Sequence, residues 1–370
     1  MPTTQDISAG ALLDVQVKLD QMYTGKTPSK FKWVDHLGTA IAILESNDAV
    51  PTEVMRNEKG ECIATIVKWL KYGTDDITYS GTGSSPSLDL ACNLATGQGT
   101  VSGTQTYNNN LVIIDNQEVL DNACANIHEF AELSAFAIAR GMHKIRKEVN
   151  EKCITFLDAA KSAVNNDADV TAGNVNGVSF AASTFDVSST VWPFNTPDSL
   201  TTLDLIVQNN DMDAAFWVSG RNGFYNAAVD SQFRRLNDNE RFLVRFDEYN
   251  MFFDTKNLDS TLTGSNLFAV SPGSYLFWNT EVYDSPQFVQ IDYDKWVSVM
   301  PDPVLRYRDA GGALRPVMYN VVYQKVCSDR NNSTLKHQMR HVYEIRLQGG
   351  LVQAPPSDDN HTGILKFMSV

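Results

Sequence analysis

The sequence predicts an α+β fold, and three observations support this prediction. Apolar and small residues recur every three or four positions from 117 to about 164, which predicts one long helix. Apolar and polar residues alternate over Val317–Tyr323 and Tyr343–Leu347, which predicts the two strands of a hairpin. Two β-rich runs flank a long Gly-, Ser- and Thr-rich stretch, which predicts a second hairpin that reaches away from the body. The 370 residues allow two or three folding units at ~150 residues each.

The composition argues against several classes of protein. The formal net charge is -14 and the pI is near 4.8, so tight binding to nucleic acid or to an anionic membrane is not expected. No apolar run approaches the ~18 residues of a membrane span, and the first ten residues lack a signal-peptide pattern. Only 20% of the residues are charged, which is expected if other subunits cover much of the surface.

The cysteines predict free thiols in a reducing compartment. They are odd in number, widely spaced and never in a C-x-x-C pair, which disfavours a disulfide framework or a zinc site. They are Cys62, Cys92, Cys124, Cys153 and Cys327.

The N-terminal third divides into an arm and a hairpin. In residues 1–58 the apolar residues are irregularly spaced. One helix is predicted there, over Lys32–Ser46, and Pro51 would end it. Its predicted apolar face consists of Trp33, Leu37, Ile41 and Leu44. Extended runs are predicted over Cys62–Tyr72 and Gln105–Asp115, on either side of the polar tip Ser80–Gly103, which is too poor in large side chains to bury itself.

The long helix is the strongest secondary-structure signal. Proline is absent throughout, and a continuous helix would run ~65–70 Å. A helix of this length is typical of a structural spine. The alternative is two shorter helices that break near Gly141, the single glycine of the segment.

The rest of the chain predicts a compact mixed region. Thr196-Pro197-Asp198 is a helix start, and the apolar residues from Leu200 to Val207 give that helix a buried face. A short run at Val178–Phe185 precedes it, and a second helix is predicted over Phe224–Arg235. Further strands are predicted over Phe242–Phe246, Tyr275–Trp278, Ile291–Val299 and Gly363–Met368.

The histidines and glycine pairs do not predict a binding site. No Walker loop, H-E-x-x-H or G-x-S-x-G motif is present. His337 and His341 would be ~13 Å apart in the predicted strand, so we expect exposed strand residues there and no metal site. His128 and His143 on the long helix are expected to be packing or surface residues. The G-x-G pairs lack the strand-to-helix context of a phosphate loop, and they are Gly81 with Gly83 and Gly97 with Gly99.

The acidic pairs and helix cysteines are expected to be structural as well. Cys124 and Cys153 lie among apolar residues and are expected to be buried. Asp292 and Asp294 are expected on the exposed face of a strand. Asp211 and Asp213 follow the helix predicted from Pro197 and are expected in its terminal turn. Four close pairs are interpreted as solvated carboxylates: Asp75 and Asp76, Asp211 and Asp213, Asp292 and Asp294, Asp358 and Asp359. No catalytic, cofactor-binding or metal-binding residue is therefore assigned.

The order of these segments resembles the major capsid proteins of tailed bacteriophages (Caudoviricetes), whose fold is named after phage Hong Kong 97. The resemblance rests on architecture and covers nearly the whole chain. It implies an N-terminal arm (1–58), an extended β-hairpin loop (59–116), a peripheral domain with the spine helix Asn116–Ala163 (117–195), a mixed α/β axial domain (196–314) and strands that return to the peripheral domain (315–370).

The resemblance also implies a function. The protein would be a structural, non-enzymatic virion component that self-assembles through hexamers and pentamers into an icosahedral shell around double-stranded DNA, inside the host cytoplasm. No fused scaffolding segment is recognisable, so a separate scaffolding protein, a portal and decoration proteins are the implied partners. Lys68 and Lys71 are the only guesses for a crosslinking lysine, and no crosslinking is predicted.

Three alternatives remain open from the sequence. An encapsulin-like nanocompartment would share the fold but enclose cargo enzymes. A soluble α/β enzyme would need an ordered pocket, for which no catalytic pattern is visible. A tail-tube subunit is disfavoured by the long helix, since tube subunits are mostly β.

Overall fold

The fold was analysed in a computed structural model. It describes residues 15, 17–19, 21, 36–47, 52–56, 62–70, 101–108, 113–121, 127–188, 197–214, 216–221, 223, 245–246, 250–279, 286–292, 294–309, 311–327, 339–354, 356 and 361–369. Helices and mostly antiparallel strands are mixed along the chain, in agreement with the predicted α+β class. Five helices are described from end to end, namely α1 (Gly38–Glu45), α2 (Ile127–Ala160), α3 (Ala168–Thr171), α4 (Pro197–Asn209) and α5 (Leu258–Thr261). The described residues 15, 17–19, 21, 221 and 223 are helical as well.

The described strands form three sheets. In chain order they are β1 (Thr52–Arg56), β2 (Cys62–Leu70), β3 (Val101–Asn108), β4 (Ile113–Asp121), β5 (Val178–Ala181), β6 (Thr184–Val187), β7 (Phe216–Ser219), β8 (Arg245–Phe246), β9 (Met251–Phe253), β10 (Ser265–Val270), β11 (Tyr275–Asn279), β12 (Val289–Asp292), β13 (Lys295–Arg308), β14 (Leu314–Cys327), β15 (Met339–Gln353) and β16 (Ile364–Ser369). The sheet orders are β1-β2-β3, then β11-β15-β14-β13-β12 with β4 also paired to β15, and β5-β6-β16-β10-β7-β9-β8.

The long helix α2, called the spine helix below, is continuous. Its 34 residues pass through Gly141 without a break, so the alternative of two shorter helices is wrong. At 1.5 Å per residue it is about 50 Å long. The predicted start near Asn116 is also wrong, because Ile113–Asp121 forms β4 and pairs with β15 from Arg340 to Gln348. Pairing with a distant strand overrides the weak helical spacing of that segment.

Helix α1 is shorter and more deeply buried than predicted. It spans eight residues and ends before Ser46, well short of Pro51. The prediction of one apolar face is wrong, because buried residues surround the helix: Gly38, Thr39, Ala40, Ala42, Ile43 and Leu44. A helix that is apolar all round is typical of one enclosed by the rest of the fold.

The first hairpin is confirmed in part and gains a third strand. The predicted run Gln105–Asp115 is wrong as a single strand, because β3 ends at Asn108 and Ile113–Asp115 belongs to β4 in another sheet. β2 and β3 are antiparallel, as predicted. β1 pairs with β2 from Thr52 to Arg56, so the end of the predicted arm belongs to this sheet. Residues 101–103, predicted as part of the polar tip, are the first residues of β3. Residues 71–100, which include most of that tip, lie outside the described residues.

The second hairpin is confirmed and is longer than predicted. β14 and β15 span 14 and 15 residues and pair from Asn320 with Arg346 to Cys327 with Met339. Strand Ile291–Val299 was predicted wrongly, because the chain turns back between β12 and β13. Helix α4 begins at Pro197 and β11 begins at Tyr275, as predicted. Of Phe242–Phe246 only β8 is described, and Phe224–Arg235 lies outside the described residues.

One large apolar core joins two of the sheets. It contains one side of the spine helix, nearly all of α1, and the inner face of the sheet β11-β15-β14-β13-β12. The seven-stranded sheet is buried on both faces, since Phe216 and Val218 enter this core while Trp217 faces a second one. The second core lies against α4 and includes Leu203, Ile206 and Val207.

Strand pairing crosses the predicted segment limits. β11, β12 and β13 fall within 196–314 but pair in the sheet of β14 and β15. β16, near the C-terminus, pairs with β6 and β10 in the seven-stranded sheet. The chain therefore passes repeatedly between the two sheets, which local sequence patterns do not indicate.

Gly38 is required where α1 contacts β9. A Cβ atom at this position would lie 1.9 Å from the carbonyl oxygen of Phe253. We expect Gly38→Ala to lower the free energy of unfolding by about 1–3 kcal/mol, because the helix would have to move away from the strand. Urea unfolding followed by circular dichroism measures this change.

The matched control is Gly311→Ala, where the added Cβ meets only the carboxylate of Asp309, at 3.4 Å. Equal stability of the two variants would contradict the close approach of α1 to β9.

Candidate functional site

The spine helix is fixed to α1 and β9 by a buried polar cluster around Asp254. Its Oδ2 accepts hydrogen bonds from Asn150 Nδ2 (2.6 Å) and Thr39 Oγ1 (3.1 Å). Asn150 Oδ1 in turn accepts from the backbone N–H of Ala40 at 2.9 Å. Asp254 Oδ1 accepts from the backbone N–H of Asn257 at 3.0 Å. Asp254, Asn150 and Thr39 are all buried, so these bonds replace the water that each polar group loses.

A buried ion pair fixes the middle of the spine helix to β13. Arg146 Nη1 lies 3.4 Å from Asp302 Oδ1, and both side chains are almost fully buried. Asp302 also accepts from Tyr319 Oη (2.5 Å) and from the backbone N–H groups of Val304 (2.6 Å) and Leu305 (2.8 Å). The β13–β14 register shifts between Pro301 and Arg306. Asp302 therefore satisfies backbone donors that the irregular ladder leaves unpaired.

Asn47 joins the end of α1 to two strands. Its Nδ2 donates to the carbonyl oxygens of Phe277 (3.2 Å) and Arg308 (2.8 Å), while its Oδ1 accepts from the N–H of Phe277 (2.8 Å). Tyr275 Oη donates to the carbonyl oxygen of Ile43 at 2.7 Å. The buried amide thus takes the place of a strand residue beside β11.

The C-terminal end of the spine helix is fixed to β16. Asp158 Oδ1 accepts from Lys366 Nζ (2.7 Å) and Lys161 Nζ (3.0 Å), and Ser162 N–H donates to the Ile364 carbonyl (2.7 Å). Partial burial opposes ionisation of Asp158, but the two lysine hydrogen bonds outweigh it and hold the pKa of this carboxyl below its usual range.

An apolar groove of about 280 Å³ opens beside the spine helix, and we call it the groove. Gly349 and Gly350 border it, and a Cβ atom at either position would meet Trp278. Burial, with a smaller contribution from the charge of Asp254, raises the pKa of Cys153 in its wall to about 12. The thiol is therefore protonated at neutral pH. The lining residues are Val149, Lys152, Cys153, Thr155, Phe156, Ala159, Phe277, Leu347, Gly349, Gly350 and Leu351.

Strand β12, called the β12 edge, presents a second unusual surface. It ends the strand order of its sheet, and all four of its residues are exposed. Val289 and Ile291 are 46% and 51% exposed although both are apolar and β-branched. An exposed apolar edge strand is typical of a surface that another chain covers.

His341 has a packing role that the sequence did not predict. It lies in β15, as expected, but it is half-buried, so the expectation of an exposed residue is wrong. Its Nδ1 is 2.7 Å from Tyr323 Oη, and the two rings stack with an interplanar angle of 7°. Burial, and less strongly the charge of Asp294, raises the pKa of Tyr323 above its usual range. Burial also raises the pKa of the neighbouring Tyr343.

The remaining candidates do not converge on one site. His143 is buried in the spine helix, and Cys153 is buried as predicted. Asp211 and Asp213 are exposed just after α4, where Asp211 N–H bonds to the carbonyl of Gln208 at 2.9 Å. Asp292 and Asp294 do not share a strand face, because they flank the turn between β12 and β13. Within the described ranges, no three His, Cys, Asp or Glu side chains come together as a metal site.

Several predicted positions lie outside the described residues. Lys68 is in β2 and His128 in the spine helix, but only their backbone placement is described. The positions that are not described are Trp33, Lys71, Asp75, Asp76, Gly81, Gly83, Cys92, Gly97, Gly99, Cys124, His337, Asp358 and Asp359. Among the helices of the described part, none has the length and apolar character needed to cross a bilayer.

No protein-family profile and no curated protein sequence matches the chain. Solved structures of phages align with it over most of its length. The cyanophage A-1(L) capsid asymmetric unit aligns with 92% of this chain and 94% of its own, at 13% identity and a TM-score of 0.44. A chain from Mycobacterium phage Che8 aligns over 86% and 92%, at 9% identity and a TM-score of 0.37. A chain from Mycobacterium phage Adephagia aligns over 94% and 96%, at 8% identity and a TM-score of 0.33.

Removing Arg146 tests the buried ion pair. We expect Arg146→Met to lower the free energy of unfolding by about 3–5 kcal/mol, because Asp302 would be left as an uncompensated buried charge. Lys147→Met is the matched control, since Lys147 is the next residue of the helix and is exposed. Lys147→Met should change the free energy of unfolding by no more than about 0.5 kcal/mol in the same urea titration. Similar losses in both variants would contradict a specific role for the pair.

The lowered pKa of Asp158 predicts a pH dependence of stability. The folded-state pKa is below the unfolded value of about 4, so the interaction stabilises the fold above that pH. The stabilisation is lost as the pH falls through the folded-state pKa. We therefore expect Asp158→Asn to lower the free energy of unfolding by roughly 0.5–1 kcal/mol at pH 7, and this difference should disappear at lower pH. Urea unfolding across this pH range, with the exposed Asp213→Asn as control, measures it, and a cost independent of pH would contradict the assignment.

Proposed function

We propose that the chain is the major capsid protein of a tailed bacteriophage, which self-assembles through hexamers and pentamers into an icosahedral shell around double-stranded DNA. The observation that carries this proposal is the combination of a spine helix on a multistranded sheet with a separate three-stranded sheet, β1-β2-β3. This sheet shares no strand pairing with the other two among the described residues.

The separate sheet supports assembly because it is small. Its strands have five, nine and eight residues, and strand ribbons of this size need a surface to pack against. A second subunit would supply such a surface. Obligate interfaces of this kind commonly bury ~2,000–5,000 Å².

The Hong Kong 97-like division of the chain is part of the proposal. Residues 1–58 would be the arm, 59–116 the extended loop, 117–195 the peripheral domain with the spine helix, 196–314 the axial domain and 315–370 the returning strands. The pairing of β11, β12 and β13 with β14 and β15 favours extending the peripheral domain to include those three strands.

Charge supports a container more than a nucleic-acid-binding protein. With a net charge of -14, the subunit would enclose the genome without tight or specific binding to it. A separate scaffolding protein, a portal and decoration proteins would be its partners, and the host cytoplasm its place of assembly. The role is structural and non-enzymatic.

The experiment that tests this proposal is the mass of the purified protein by light scattering, with negative-stain images of the same sample. We expect closed shells of many megadaltons, or rings of five or six subunits if a scaffold is required. Small closed shells that hold cargo enzymes would favour a nanocompartment instead. A monomer or dimer that persists across salt and protein concentration would contradict the shell and revive the enzyme hypothesis.

A further inference from the structure

We propose that the groove of one subunit binds the β12 edge of a second copy. This inference rests on the proposed self-assembly and names two surfaces that would make contact. The groove lies between the spine helix and strands β11 and β15, while the β12 edge is at the other end of the strand order in the same sheet.

The groove has the size and lining of a site for apolar side chains. Its volume of about 280 Å³ exceeds that of one large aliphatic side chain. The apolar side chains of Phe156, Leu347 and Leu351 line it. Lys152 and Thr155 are the exposed polar residues at its border. Apolar anchors that fill such pockets contribute most of the binding energy in protein interfaces.

The β12 edge has matching side chains. The ladder of β12 to β13 is irregular between Gln290 and Asp292, and two apolar residues lie beside or within this irregularity, Val289 and Ile291. Both are about half exposed. The backbone of β12 pairs with β13 on one side and with no other described strand. Two β-branched side chains on a narrow exposed strand are suited to enter a groove of this kind.

The net charges beside the two surfaces are opposite. Asp292 ends β12, and Asp294 lies in the turn that follows, next to Lys295, so that one negative charge is in excess. Lys152 borders the groove, and the exposed side of the spine helix near it also carries Lys144, Lys147, Glu148 and Glu151, so that one positive charge is in excess. Opposite charges at the rim of an apolar contact set its orientation and weaken it as salt rises. This complementarity favours a second copy as the occupant.

The two surfaces of one chain are too far apart to meet. Gln290 of β12 pairs with Trp296 of β13. Trp296 pairs with Tyr323 of β14, which pairs with Tyr343 of β15. Three strand spacings therefore separate β12 from β15, or about 14 Å. Gly350 at the groove is a further seven residues along β15, or about 24 Å.

The contact would therefore be between chains and head-to-tail. Each subunit uses its groove on one side and its β12 edge on the other. Contacts of this type join subunit to subunit and form a ring where the rotation between neighbours closes.

Charge reversal tests the pairing of Lys152 with Asp292. Light scattering would measure the concentration at which half of the protein is assembled, at about 50 mM salt, where rim charges are weakly screened. We expect Lys152→Glu and Asp292→Lys each to raise this concentration by about 5-fold or more. The double variant Lys152→Glu/Asp292→Lys should return it to near the wild-type value, because each contact again joins opposite charges.

The control for net charge is Lys152→Glu/Asp213→Lys. Asp213 is exposed but lies after α4, away from both surfaces. This variant has the same net charge as the first double variant. We expect its half-assembly concentration to stay as high as that of Lys152→Glu. Since the two positions of the first pair are far apart in one chain, recovery specific to that pair can come only from contact between copies.

The apolar part of the contact has its own variants. Ile291→Asp should raise the half-assembly concentration at least 10-fold, whereas Leu205→Asp should leave it unchanged. Leu205 is a matched control because it is 52% exposed against 51% for Ile291, but it lies on α4. Circular dichroism checks that each variant is folded.

The outcomes separate this inference from the proposed function. If the wild type assembles and both double variants behave alike, or Ile291→Asp assembles like Leu205→Asp, the pairing of groove and β12 edge is overturned while the shell stands. If the wild type does not assemble at all, both proposals are overturned.

Discussion

The fold depends on the carboxylate of Asp254, which is buried and must therefore be fully hydrogen-bonded. Its partners come from α1, from the spine helix and from the turn after β9, so one side chain joins three segments that are distant in sequence. The absence of a side chain at Gly38 lets α1 approach the same strand. Without this cluster, the apolar surface of the spine helix would still favour burial, and the bonds of Asp158 and Ser162 would still join its C-terminal end to β16, but the middle of the helix would lose its polar contacts with α1 and β9.

Local patterns predicted the elements whose signals are complete within one segment. The spine helix followed from regular spacing without proline, and α4 from a hydroxyl residue, a proline and an aspartate at its start. The alternation over Val317–Tyr323 predicted the strand, and Val317, Tyr319, Val321 and Tyr323 are all buried, but burial does not alternate because Asn320 and Val322 are buried as well. In each case, the residues that specify the element are neighbours in the sequence.

The errors occurred where distant pairing decides the structure. Residues 116–121 of β4 are wrongly predicted as helix because the partner strand, β15, follows more than 200 residues later in the chain. Ile291–Val299 looked like one strand because its turn carries no glycine or proline. Arg146 gave no signal, since a basic residue on a helix is normally exposed, and only the position of Asp302 explains its burial. The groove and the β12 edge could not be predicted for the same reason, because each is defined by the order of strands in a sheet.

The connections of the three-stranded sheet have a mechanical consequence. Four residues separate Asn47 from β1, and four separate β3 from β4, so each connection has five Cα–Cα steps and can span at most about 18 Å. A force on this sheet would therefore pass to two anchors, the amide of Asn47 between strands and the nine-residue ladder of β4 with β15. Force along a strand loads all the hydrogen bonds of such a ladder together, so this connection would resist being pulled away from the body of the subunit.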